Sequence, residues 1–187
     1  MVLQDTATCQ NICQFIMKPI NIEERVEKAR RLFKEGGYNC CQAVVLAYND
    51  IFGIDDTLAA SLSSGFGGGM GRMREVCGSV SGMIFLAGLI RPAADPSDKE
   101  ARTGNYALVQ EVAGEFKALN GSIICKELLG LTSCSAPSGN GIHGIPESPV
   151  PSDRTPEYYK KRPCEELVGI SARIIGEKIL HAAQDNK

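Results

Sequence analysis

Eight cysteines stand in a chain of 187 residues, at positions 9, 13, 40, 41, 77, 125, 134 and 164. None forms a C-x-x-C pair, so neither a local dithiol loop nor a zinc knuckle is written into the sequence. Cys40, Cys77, Cys125 and Cys164 each fall where a helix is expected to begin. The first turn of a helix has unpaired N–H groups and the positive end of the dipole, and both favour thiolate over thiol. The effect is worth about 0.3–1 kcal/mol, and up to about 2 when partly buried, or roughly one unit of pKa. Four thiols so placed point to nucleophilic, redox or metal-ligating sulfur chemistry. The alternative is that they pack as small apolar side chains.

Around Cys77 the run Cys77-Gly78-Ser79-Val80-Ser81-Gly82 is rich in small residues. These leave Cys77 accessible and mark Gly78, Ser79 and Gly82 as positions where a cofactor could approach. The same pattern also serves close helix packing. Gly65-Phe66-Gly67-Gly68-Gly69-Met70-Gly71 precedes it without a following G-K-[ST], so it is not a P-loop. It is expected to turn the backbone tightly near Cys77, with a backbone anion nest as the weaker alternative. The two histidines give no Cys–His pair: His143 lies in a proline-rich stretch and His181 near the C-terminus. Adjacent Cys40 and Cys41 point about 100° apart on a helix, so both cannot serve one site equally.

The elements that must position these residues read as helices. Asn21 with Glu24, then Asn39 with Gln42, form capping boxes that open the first two, and Thr57 opens a short third. Residues 78–90 are small or apolar on every face, which predicts a buried helix. Ser97 with Glu100 caps a long helix lined by Tyr106, Val109, Val112, Ala113 and Phe116. Ser122 caps a short one holding Cys125, and Pro163 suits the first turn of the last. Residues 122–125 are the one stretch that competes as a strand. Residues 135–157 contain five prolines and no periodicity, which predicts a loop insertion. The expected fold is all-α, six or seven helices in one domain over 21–187 behind an extension over 1–20.

Net charge is −2 and tryptophan is absent, which argues against nucleic acid as a partner. Lys160-Lys161-Arg162 reads as a solvated cluster beside a helix start. No apolar run reaches the length of a membrane span, and the first twenty residues lack a signal-peptide pattern, so a cytoplasmic location is expected.

Tyr38-Asn39-Cys40-Cys41-Gln42-Ala43-Val44, Gly67-Gly68-Gly69-Met70-Gly71-Arg72 and Cys77-Gly78-Ser79-Val80-Ser81-Gly82 together resemble the C-GCAxxG-C-C family, a bacterial and archaeal group described as redox-active. Cys125-Lys126-Glu127-Leu128-Leu129-Gly130 and Cys164-Glu165-Glu166-Leu167-Val168 resemble its later cysteine segments. The resemblance covers roughly residues 24–182 and implies that Cys40, Cys77, Cys125 and Cys164 are the characteristic four. Three features depart from the pattern: Ser79 in place of alanine, Cys41 in place of a small residue, and the longer 135–157 segment.

Three functions compete. The first is reversible dithiol–disulfide chemistry centred on Cys77, exchanging electrons with a redox partner. The second is a [2Fe–2S] centre ligated by Cys40, Cys77, Cys125 and Cys164. The third is a binding or scaffold protein whose cysteines only pack. A homodimer seam along helix 78–90 is left open beside intrachain packing. Cys9, Cys13, Cys41 and Cys134 are expected to be peripheral.

Overall fold

A computed structural model describes residues 20–131, 148–160 and 162–185. Cys9, Cys13, Cys134 and His143 lie outside the described residues. The fold is all-α, with eight helices among the described residues: α1 (Ile22–Lys34), α2 (Cys40–Tyr48), α3 (Asp56–Ser63), α4 (Gly78–Ile90), α5 (Lys99–Asn120), α6 (Cys125–Leu128), α7 (Pro156–Lys160) and α8 (Cys164–Asp185). Short 3-10 turns follow α2 and α3. The helix beyond the six or seven expected is α7, a short helix that begins inside the stretch read as loop.

Local chemistry accounts for the starts. The Asn21 side chain accepts from Glu24 N–H at 3.3 Å and donates to the Glu24 carboxylate at 3.0 Å. The Asn39 side chain accepts from the N–H groups of Cys41 and Gln42, and Gln42 returns the contact to Asn39 N–H at 3.0 Å. Such a cap is worth about 1 kcal/mol. Two other expected caps are corrected. Asp98, not Ser97, caps α5 by accepting from Ala101 N–H, while Ser97 is turned back onto Asp95. Ile124 is the N-cap of α6, and Ser122 Oγ accepts from Ile124 N–H within the preceding turn. Third-helix capping moves two residues back, to Asp55.

α4 runs through the centre, against α2, α5 and α8, while α1 crosses α8 and α2. Its residues Gly78–Met83, Leu86 and Ala87 are all buried, as an all-apolar helix requires. A Cβ at Gly82 would sit 2.9 Å from Val44 Cβ and 3.0 Å from the Cys41 carbonyl oxygen, so α2 and α4 touch nearly backbone to backbone. These small residues are therefore used for close packing within the chain.

Val112 and Phe116 carry α5 into the core, whereas Tyr106, expected on that side, is 59% exposed. Tyr48 is fully buried and satisfies its hydroxyl by donating to the Ala172 carbonyl at 2.7 Å, which pins α2 to α8. No strand occurs among the described residues. The competing stretch at 122–125 yields a single antiparallel bridge, Val76 to Ile124. No helix is long and apolar enough to cross a membrane among the described residues.

Candidate functional site

Four helix starts point at one pocket of about 290 Å³, and Cys40, Cys77, Cys125 and Cys164 all line it. Cys40, Cys125 and Cys164 are the first helical residues of α2, α6 and α8, and Cys77 is the residue from which α4 departs. All are free thiols. Cys40 and Cys164 are half-buried, while Cys77 and Cys125 are 5% and 6% exposed. The expectation of an accessible Cys77 is thus corrected: its small neighbours let α2 close over it instead.

The bridge between Val76 and Ile124 sets two of the four. Cys77 N–H donates to the Ile123 carbonyl at 2.8 Å, and Cys125 N–H to the Glu75 carbonyl at 2.6 Å. Cys77 and Cys125 therefore lie on the same face of the bridge as diagonal neighbours. Such a pair is separated by about 7–8 Å, whereas a disulfide brings Cα atoms to about 5.5–6 Å. Cys40 reaches Cys77 from another direction. A Cβ at Gly78 would fall 2.6 Å from Cys40 Sγ and 2.9 Å from the Phe66 carbonyl oxygen. Only glycine fits there.

The glycine-rich loop drapes over this arrangement. Gly68, Gly69, Met70, Gly71, Arg72 and Arg74 all have φ between 59° and 72°. A left-handed run that includes three side-chain-bearing residues costs about 1–2 kcal/mol for each of them. It is closed by hydrogen bonds from the N–H groups of Met70, Arg72, Arg74 and Glu75 to the carbonyls of residues 66–69. Those N–H groups are occupied, which disfavours the anion nest and leaves the tight turn. A Cβ at Gly67 would meet the Asn39 side chain at 2.6 Å, and one at Gly69 the Cys125 Cβ at 2.7 Å. The loop thus seats directly on the starts of α2 and α6, and it carries Arg72 and Arg74 to the pocket wall.

Electrostatics run against the expectation of activated thiolates. Burial, then the neighbouring Cys40 sulfur, pushes the Cys77 thiol up to about 12, against a hydrogen bond with Ser79 at 3.3 Å. Cys164 is pushed up to about 12 by burial and by the other three sulfurs. Cys125 is also raised by burial and by Cys40, with the Arg74 and Arg162 guanidiniums opposing. Desolvation and like charge outweigh a helix-end effect of roughly one unit. At neutral pH the buried sulfurs are protonated.

Of the three small residues marked for cofactor approach, only Ser79 lines the pocket; Gly78 and Gly82 serve close packing. Cys41 is fully buried among Val45, Leu46 and Ala59, away from the pocket, and burial raises its pKa. His181 is exposed and does not line the pocket. Among the described residues no group of three or more His, Cys, Asp or Glu side chains is placed to hold a metal ion. Sequence reasoning missed the arginines. Arg72, Arg74, Arg154 and Arg162 all line the pocket. Arg162 had been visible only as part of a basic cluster, and its neighbour Tyr158, under its guanidinium at 4.7 Å, was the available signal.

The family model described as "Putative redox-active protein (C_GCAxxG_C_C)" matches residues 38–178. Comparison with curated proteins found no match, and comparison with solved structures found none.

Proposed function

We propose, for a chain that belongs to the C_GCAxxG_C_C family, that Cys40 and Cys77 form a reversible disulfide, with Cys125 and Cys164 completing the sulfur site. The observation that carries the reading is the convergence of four widely separated cysteines on one pocket. Cys40, half-buried, is the thiol that meets an outside reagent; Cys77, buried beside it, closes the bond. Two thiols lose two electrons and two protons to the acceptor, and the sulfur–sulfur bond forms. Cys77, with its thiol raised, must be deprotonated as the bond closes, and the Ser79 hydroxyl stands within hydrogen-bonding distance of its sulfur. Location in the cytoplasm, where thiols are kept reduced, suits such chemistry.

The [2Fe–2S] reading would use the same four sulfurs. It asks more of the structure, because among the described residues no group of three or more donors is placed for a metal ion and the sulfurs would have to draw together. Anaerobic purification with visible absorption, iron and sulfide assays and thiol counting decides between them. The expected protein is colourless, and mild oxidant removes two thiols that dithiothreitol restores. Cys40→Ser and Cys77→Ser each abolish that pair. Brown protein with stoichiometric iron and sulfide overturns the proposal in favour of the cluster.

A further inference from the structure

The walls of the sulfur pocket carry four arginines and, among the described residues, no aspartate, glutamate or lysine. Elsewhere the guanidiniums of Arg25, Arg30 and Arg173 meet carboxylates at 2.5–2.9 Å. Arg154 and Arg162 are held differently. Arg154 donates to the Phe33 carbonyl at 2.6 Å and lies over the Phe33 ring at 4.9 Å. Arg162 lies over the Tyr158 ring at 4.7 Å. Neither is matched with a carboxylate among the described residues. Aromatic stacking orients a guanidinium while leaving in-plane N–H groups free to pair (for Arg154 those other than the one on Phe33), and such a fork matches a carboxylate. The chain as a whole is slightly acidic, so this positive wall is a local feature beside the thiols.

We propose that the pocket recognises a low-molecular-weight disulfide bearing carboxylates, with Arg154 and Arg162 as the carboxylate-binding residues. This rests on the dithiol reading. At about 290 Å³ the pocket is near the lower end for small-ligand sites, about 300–1,000 Å³, and admits one half of such a molecule. The Cys40 thiolate attacks one sulfur of the bound disulfide, and the other half leaves as a thiol after taking a proton. The Cys77 thiolate then attacks Cys40 Sγ and releases the second half. The disulfide is reduced to two thiols as the Cys40–Cys77 bond forms, so two electrons and two protons pass to it.

Two measurements test this. In the first, S-methylglutathione, which cannot exchange, is titrated calorimetrically into the reduced full-length protein. Binding is expected to weaken about tenfold in Arg154→Gln and in Arg162→Gln, and to weaken with added salt, while Arg91→Gln, outside the pocket, is the charge-matched control. Absence of binding to the natural protein, or equal losses in all three variants, overturns the proposal. In the second, oxidation by glutathione disulfide is compared with oxidation by uncharged 2-hydroxyethyl disulfide. The ratio of the two rate constants is expected to fall about tenfold in either pocket variant; an unchanged ratio in both overturns it. Failure of the dithiol reading has a separate signature: no two-thiol loss with either disulfide, whatever the calorimetry gives.

Discussion

Two regions join distant parts of the chain, and they do it by opposite means. Along the seam between α1 and α8, Arg30 reaches Glu166 at 2.5 Å, Lys34 reaches Glu165 at 3.1 Å and Arg173 reaches Glu23 at 2.6 Å. At the sulfur pocket, the glycine-rich loop and the starts of α2, α4 and α6 meet at close approaches to Gly67, Gly69 and Gly78, and Arg154 and Arg162 have no carboxylate partner among the described residues. The seam spreads its stability over exposed, replaceable pairs above an apolar layer of Val26, Ala29, Phe33, Val168 and Ile175. The pocket depends on a few approaches that allow no side chain at all. A region assembled for packing tolerates exchange; a region that must hold several sulfurs at once does not.

The sharpest way to break this contrast is substitution at the close approaches. Gly82→Leu drives a side chain into Val44 and the Cys41 carbonyl, and is expected to lower stability in urea by about 3 kcal/mol, the high end for overpacking. An equally stable variant would mean that α2 and α4 are not held together as described. Next in size is pH. Folding raises the thiols of Cys77 and Cys164 above the free value of about 8.5. The contribution is therefore fully present below about pH 8.5 and is lost as pH rises toward about 12, because the unfolded chain releases its protons first. Between pH 7 and 10.5 the loss is expected to be about 2.7 kcal/mol from Cys77 alone, roughly two pH units above the free value at ~1.4 kcal/mol per unit, and Cys77→Ala should remove that part of the slope.

Smaller still is the effect of relaxing the left-handed loop. Met70→Gly removes a side chain from φ 59° and is expected to stabilise by about 0.5–1 kcal/mol, after the added freedom of the unfolded glycine is subtracted. A midpoint that falls instead would show that the Met70 side chain holds the loop down. The seam provides the smallest effect. Glu166→Gln breaks the Arg30 pair at a site where both groups are partly exposed, with an expected loss of about 0.5 kcal/mol that shrinks further in salt. If this exceeds the Gly82→Leu effect, the comparison is wrong.

Much of this could be read from the chain because it is local. The capping pairs at Asn21 and Asn39 have their partners three residues away, and the buried character of α4 is visible in its unbroken run of small and apolar residues. Asp98 displaced Ser97 as a cap because a nearby acid, Asp95, offered the serine another partner. What the sequence could not reveal is tertiary. Cys77 looked open because its neighbours are small, yet those same residues admit α2. The helix starts suggested low thiol pKa values, but four sulfurs brought together in one place repel one another's charge. Arg154 carried no signal, since its aromatic partner Phe33 lies far away in sequence, while the one signal for Arg162 was Tyr158 four residues before it.

The bridge at Val76 and Ile124 works as a ruler made of main chain. Each of its two hydrogen bonds ends one residue from a bridging position, at Cys77 or Cys125, so the interval between those sulfurs is gauged by peptide geometry and not by the side chains at 76 and 124. Such a gauge can be inherited while its letters drift. A substitution at 76 or 124 that keeps the two main-chain bonds leaves the spacing of the two sulfurs in place.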